Sequence, residues 1–256
     1  MEENNRPLVS VIMPAYNAAR FVEAAVRSVL AQTVTDWELL VLDDGSSDET
    51  VSIVAALAEQ DGRIRLLPNE ANMGVARTRN RGFDLCRGAY VALLDSDDVW
   101  HPEKLEKQLA LARQTGAQLV YSSYAIVDSR GNMAKPTYVV PETVNFPALL
   151  KENVIGCSTV LLDGTLLETY RFQTDFYHED YVLWLQMLRD GHLAAGCTEP
   201  LVDWRFLENS RSFDKRKSAR NRWRIYRDYL HLSLVRSVCC FAAYAYHGFR
   251  KYRRSR

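Results

Sequence analysis

Residues 89–98 read Ala89-Tyr90-Val91-Ala92-Leu93-Leu94-Asp95-Ser96-Asp97-Asp98. Six apolar residues ending in a polar turn have the length and composition of a strand buried on both faces of a parallel sheet. Three carboxylates crowd its carboxyl end, which in open α/β sheets is the mouth of the ligand crevice. Like charges this close repel and raise each other's pKa, so a cation is expected to share the site. A hard divalent metal carrying a phosphorylated ligand is the simplest candidate. The alternative is an acidic helix cap, because Val99-Trp100-His101-Pro102-Glu103 reads as a helix start. A cap needs only one aspartate.

Outward from this stretch the same pattern repeats. Leu8–Met13 reads as a first strand ended by Pro14, followed by a helix with Phe21, Val22, Ala25, Val26, Val29 and Leu30 on one face. Trp37–Leu42 is a second strand, ending in Asp43-Asp44-Gly45-Ser46-Ser47-Asp48, where Ser47 or Asp48 can cap the next helix. Ile64–Leu67 is a third strand. A loop around Asn72-Met73-Gly74 leads into a helix through Arg79 and Phe83, and after the acidic cluster come a helix near 103–115 and a strand at 118–121. Strands alternating with helices predict an α/β fold with a doubly wound, mostly parallel sheet and helices on both faces. The polar ends at Pro14-Ala15-Tyr16-Asn17, Asp43-Asp44-Gly45 and Asp95–Asp98 are then expected to line one crevice. No G-x-G-x-x-G or Walker A sequence is present, which argues against dinucleotide and P-loop readings.

Beyond about 122 the pattern loosens into turns and short strands. His178-Glu179-Asp180 opens an amphipathic helix, Tyr181–Leu188, that stops at Gly191. Its two acids suit a helix N-terminus as well as they suit catalysis.

The 256 residues carry no net charge, but the balance is uneven: residues 215–256 sum to +12 and the preceding 214 to −12. The N-terminus is polar, with no signal-peptide pattern. Five cysteines without metal-ligand spacing fit a reducing, cytoplasmic compartment. In the tail, Trp223, Tyr226, Leu230, Leu234, Val238, Phe241, Ala245 and Phe249 recur at helical steps among arginines. Charges at His231, Arg236 and His247 make it a poor membrane span. Two readings stand: an interfacial helix on an anionic membrane surface, or a helix packed on the body with a solvated basic end. Nucleic acid is not expected as a partner, since no recognition module accompanies the charge.

Five segments in this order resemble glycosyltransferase family 2, the inverting sugar transferases of GT-A fold. They are VSVIMPAYNAARFVEAAVRSVLAQT (9–33), ELLVLDDGSSDET (38–50), NMGVARTRNRG (72–82), YVALLDSDDVWHPEKL (90–105) and HEDYVLWLQMLRDG (178–191). The resemblance implies a GT-A-type domain over 1–214, with a nucleotide-binding half at 8–121 and an acceptor-binding half at 122–214, followed by a basic amphipathic helical tail at 215–256. It implies that Pro14, Ala15 and Tyr16 lie against the nucleotide base, and that Asp44 hydrogen-bonds base or ribose. Arg79 would support the nucleotide side, Asp95 and Ser96 the ribose side, and Asp97 would hold Mn2+ or Mg2+ on the diphosphate. Asp180 matches the family's general base, with Asp98, Glu179, Trp184 and Arg205 in supporting places. The substrates implied are a nucleotide-diphosphate sugar, UDP-linked by preference, and a saccharide or lipid-linked saccharide acceptor, in bacterial polysaccharide or glycolipid assembly at the inner face of the cell membrane. One position departs: in Trp204-Arg205-Phe206-Leu207-Glu208-Asn209-Ser210, Leu207 stands where many relatives have a metal- or diphosphate-binding histidine. Either Asp97, phosphates and water hold the metal, or Glu208 or Arg205 compensates. Other readings are a nucleotide-sugar-binding or scaffold protein with a degenerate site, and a nucleotidyltransferase, which would want a glycine-rich, lysine-containing phosphate loop that is missing here.

Overall fold

The computed structural model describes residues 6–207 and 214–253. In chain order the elements are β1 (Val9–Ala15), α1 (Val22–Leu30), β2 (Trp37–Asp43), α2 (Thr50–Gln60), β3 (Ile64–Leu66), α3 (Val75–Leu85), β4 (Tyr90–Leu93) and β5 (Val99–Trp100). There follow α4 (Lys104–Thr115), β6 (Leu119–Val127), β7 (Met133–Tyr138), α5 (Phe146–Lys151), β8 (Leu161–Asp163), α6 (Glu179–Arg189), β9 (Ala194–Arg205), α7 (Lys215–Arg224) and α8 (Leu234–Arg253).

The strands form one sheet in the order β3-β2-β1-β4-β8-β6-β9-β5, with β7 on the side of β6. The first four are parallel. Alternate side chains of these strands go to opposite layers, as the period of two requires. Ile12, Leu40, Leu42, Val91 and Leu93 share one core with α3, α5 and α6. Val11, Met13, Leu39, Val41, Ala92 and Leu94 share the other with α1, α2 and α4. This is the doubly wound α/β arrangement, and it sets all three polar strand ends on one edge.

Two local expectations change. Val99-Trp100 is not a helix start but a strand, antiparallel to β9 through Val99↔Asp203 and Trp100↔Val202. The helix begins at Lys104, so the acidic cluster caps nothing. Nor does the chain loosen at 122. β6 runs on to Val127, paired in parallel with β9, while β8 inserts antiparallel between β4 and β6. Ser122 and Ser123 within β6 are fully buried, and Ser123 Oγ accepts the amide of Val140 at 3.0 Å.

The tail is not one continuous helix. A single wide turn at Ile225–Tyr229 and a left-handed His231 (φ 50°) interrupt it, and α8 restarts behind Ser233, whose Oγ accepts the Arg236 amide. The expected apolar face is therefore split. Tyr226 is fully buried and its hydroxyl donates to the Leu150 carbonyl. Leu234 and Val238 point outward, and the side chain of Phe249 lies outside the described residues.

Candidate active site

The three strand ends, the 72–77 loop and the 174–179 segment enclose a cleft of about 790 Å³. Its wall includes Pro14, Ala15, Tyr16, Asp44, Arg79, Asp95, Ser96, Asp97 and Glu179 of the expected residues. Tyr16 follows β1 with 53% of its surface open, a free aromatic face at the rim. Asn17 behind it takes φ 48°, which asparagine tolerates. Its amide donates to Ser46 Oγ and its Oδ1 accepts from the Ser47 amide, both at 2.9 Å, tying the first loop to the second.

Asp44 is the hub of the second loop. Its Oδ1 accepts from Asn69 Nδ2 (2.8 Å) and the Met73 amide (2.9 Å), and its Oδ2 accepts from the Gly74 amide (2.9 Å). A carboxylate offers about four acceptor positions, so Asp44 shapes the loop and keeps roughly one to spare. Gly74 then opens α3 at φ 86°. Two turns on, a Cβ at Gly82 would stand 2.6 Å from Ile12 Cγ2, so glycine lets α3 press against β1.

That approach delivers Arg79 into the floor of the cleft. It is buried, not solvated, and bridges two acids from distant parts of the chain: one terminal nitrogen donates to Asp95 Oδ1 at 2.5 Å, the other to Glu179 Oε1 at 2.7 Å. Its guanidinium lies over the Phe172 ring, 5.3 Å to the centroid. Trp184 does not reach the cleft. It is fully buried and meets Phe172 edge-on at 6.4 Å, so its support passes through that ring.

The acidic turn is pinned from behind. The Asp95 amide donates to Ser158 Oγ (3.0 Å), whose hydroxyl donates to Asp98 Oδ2 (2.5 Å), while the Arg205 amide donates to Asp98 Oδ1 (2.8 Å). Asp98 is thus an internal tie. Burial first, then Asp97 and Asp95, hold its carboxyl well above the usual range, against the pull of these hydrogen bonds. Arg205 cannot stand in for the missing histidine. Its Nε donates to the Asp97 carbonyl at 2.8 Å, a terminal nitrogen donates to the Asp128 carbonyl at 2.9 Å, and the guanidinium covers Phe21. Leu207 lines the cleft without a donor or acceptor to offer, and Glu208 lies outside the described residues.

Among the described residues, Asp97 and Asp180 form no ion pair like those that hold Asp95 and Glu179. Burial and then Asp95 push Asp97 up to about 6. Asp180, partly buried just beyond the cleft wall, accepts the Tyr181 amide at 2.7 Å. Burial first and Glu179 second push it up to about 6, with Arg79 drawing it down. Of the acidic pair that opens α6, Glu179 is therefore locked and Asp180 is not. Among the described residues no three His, Cys, Asp or Glu side chains gather into a ready metal cage.

Sequence reasoning gave no site role to Ser158, which carries no signature, or to Phe21, Met73 and Phe176 in the cleft wall. They come together only through the fold.

Residues 10–162 match the model described as Glycosyl transferase family 2. TuaG of Bacillus subtilis strain 168, a glycosyltransferase provisionally named for teichuronic acid biosynthesis, is 35% identical over 97% of this chain and 98% of its own. The UDP-Glc:alpha-D-GlcNAc-diphosphoundecaprenol beta-1,3-glucosyltransferase WfgD of Escherichia coli is 40% identical over 90% of this chain and 89% of its own. In fold, S. aureus TarS 1–349 with UDP-GlcNAc superposes at a TM-score of 0.74 and 18% identity, covering 93% of this chain and 71% of that one. Mannosyltransferase PcManGT from Pyrobaculum calidifontis, with GDP-Man and Mn2+, gives 0.68 at 19% identity, covering 94% and 70%. With its GT-A sheet and this family match over most of its length, the chain belongs to glycosyltransferase family 2.

Proposed function

We propose that the chain is a metal-dependent, inverting transferase that moves a sugar from a UDP-sugar to a hydroxyl of a lipid-linked saccharide during bacterial surface polysaccharide or glycolipid assembly. One observation carries the reading: Arg79 joins Asp95 on the donor side to Glu179 on α6, which leaves the neighbouring Asp180 as the ionisable base. In this reading residues 8–121 hold the nucleotide and 122–214 the acceptor. Tyr16 stacks on the base, Asp44 uses its remaining acceptor position on base or ribose, and Pro14, Ala15, Asp95 and Ser96 shape the ribose pocket.

Asp97 fits a hard divalent ion. It lines the cleft, and burial and then crowding by Asp95 already raise its carboxyl, a cost that a cation offsets. Without a protein cage, Mn2+ or Mg2+ would share its coordination with diphosphate oxygens and water, as such ions commonly do beside one or two carboxylates. When bound, the ion neutralises charge on the leaving diphosphate. Asp180 takes the proton from the acceptor hydroxyl as that oxygen attacks the anomeric carbon. One displacement needs one base and inverts the centre. The WfgD name and the Mn2+ in the mannosyltransferase structure support, respectively, a lipid-diphosphate acceptor and a divalent ion.

We also read the protein as peripheral to the inner face of the cell membrane. Among the described residues no helix is long and apolar enough to cross a bilayer, yet α8 turns Leu234, Val235, Val238 and Tyr246 to solvent.

The test is a panel of nucleotide sugars with Mn2+ or Mg2+ and membrane lipid extract, following nucleoside diphosphate release. Turnover of one donor, abolished in Asp97→Ala and Asp180→Asn while Asp180→Asn still binds nucleotide, supports the reading. Nucleotide binding without turnover of any donor would instead favour a degenerate binding protein, for which Leu207 in the cleft is the best argument.

A further inference from the structure

The segment after residue 214 looked like an appendage in sequence, yet it meets the loop that carries the base almost residue by residue. Asn221 Oδ1 accepts the Tyr177 amide at 2.9 Å. The Ser218 hydroxyl and His178 Nε2 are hydrogen-bonded at 3.1 Å. Arg224 lies over the Phe176 ring, and Tyr229 meets the same ring edge-on at 5.3 Å. On the far side of the base, Arg222 covers the Tyr181 ring at 4.2 Å and is itself covered by Tyr244 at 4.1 Å. Ser218, Asn221 and Arg222 form the buried face of α7, each with less than a tenth of its surface open. Residues 176, 177, 178 and 181 are thus held by the C-terminal segment and Glu179 by Arg79.

A base placed by one helix start has its position set by whatever fixes that start. His178, at the N-cap of α6, makes no side-chain capping bond to the helix, and its Nε2 is hydrogen-bonded to Ser218. The amide of Tyr177, which lies outside the helix ladder, has Asn221 as its acceptor. Neither partner lies within the segment matching the family model, which ends at 162. We propose that Ser218 and Asn221 are positioning residues for Asp180, so that α7 is a structural part of the catalytic centre and not only a link to α8. This rests on the reading of Asp180 as the base.

Positioning errors of about an ångström in a base can cost on the order of 100-fold in rate, so each truncation is expected to cost roughly 10- to 100-fold in kcat. The full chain is assayed with UDP-glucose and a GlcNAc-diphosphoundecaprenol acceptor. Ser218→Ala and Asn221→Ala are expected to lower kcat with donor KM unchanged, and Ser218→Thr, which keeps the hydroxyl, to restore it. Independently of any substrate, carboxyl carbon NMR follows Asp180 itself, which faces Glu179, Arg79, Asp95 and the Cys157 thiol. Its titration near 6 is expected to move down in Asn221→Ala as the loop loosens and water reaches the carboxyl. Folded variants with wild-type kcat and an unmoved Asp180 titration would overturn the proposal. So would a loss of kcat, KM and melting temperature together that threonine does not rescue. Full turnover in Asp180→Asn would instead sink the base assignment, leaving the NMR arm to judge the brace.

Discussion

Arg79 reaches Asp95 with one terminal nitrogen and Glu179 with the other, and the geometry of the guanidinium fork makes that possible. A lysine offers one ammonium at the end of a flexible stem and cannot satisfy both carboxylates from the same place. Arg79→Lys is therefore expected to cost about 2 kcal/mol, the worth of one charged hydrogen bond left unmade. Turnover should fall further than stability, because the released acid borders either the donor or the base. Urea denaturation and initial rates check this, and a lysine variant with full activity would contradict it. At Asp180 the direction in pH follows from the chemistry. Only the ionised carboxylate can accept a proton, and burial sets its pKa to about 6. The kcat profile should then drop on the acid side through about pH 6, where an ordinary exposed aspartate would keep working to about pH 4.

The elements around the site were legible to different degrees, and the reason is physical. β1, β2 and β4 are short apolar runs stopped by polar residues, and such strands announce both themselves and their functional ends. The 3-10 turn at Cys157–Thr159 announced nothing. Its importance lies in Ser158 meeting Asp95 and Asp98 across some sixty residues of chain, a contact made by β8 entering beside β4. Trp184 acts at one remove: one turn after Asp180 it is fully buried against Phe172, the ring that lies under Arg79. Ser158→Ala removes the donor to a fully buried Asp98 oxygen and the acceptor of the Asp95 amide, which should destabilise by about 1–3 kcal/mol. It should also weaken activation by Mn2+, since the turn carrying Asp97 loses its rear support. Thermal melting and a Mn2+ titration of the rate measure the two effects, and an unchanged titration would show that the turn holds its shape without Ser158.

Across the whole molecule the charge separates, with −12 in residues 1–214 and +12 in 215–256. Charge count alone could not say whether the tail lies on a membrane or on the body, and the fold packs one face of the segment on the body and leaves the other exposed. α7, the wide turn after it and the inner side of α8 pack inward through Asn221, Tyr226 and Cys240 respectively. The outer side of α8 leaves Leu234, Val235, Val238 and Tyr246 each more than half exposed, with Arg236 between them. Water gains nothing from such a stripe, whereas an interfacial helix buries it among acyl chains and offers its arginines to anionic headgroups. Pairing two copies through this face would instead bring two +12 segments together. The full chain is accordingly expected to co-sediment with phosphatidylglycerol vesicles and much less with phosphatidylcholine, and to be released by salt, since each basic residue near the surface contributes about 1 kcal/mol. Val235→Asp with Val238→Asp changes two outward side chains, 75% and 51% exposed, and should abolish vesicle binding with little change in melting temperature. Were the double variant to bind as well as the wild type, the apolar stripe would have no part in attachment, and the basic residues alone would have to account for it.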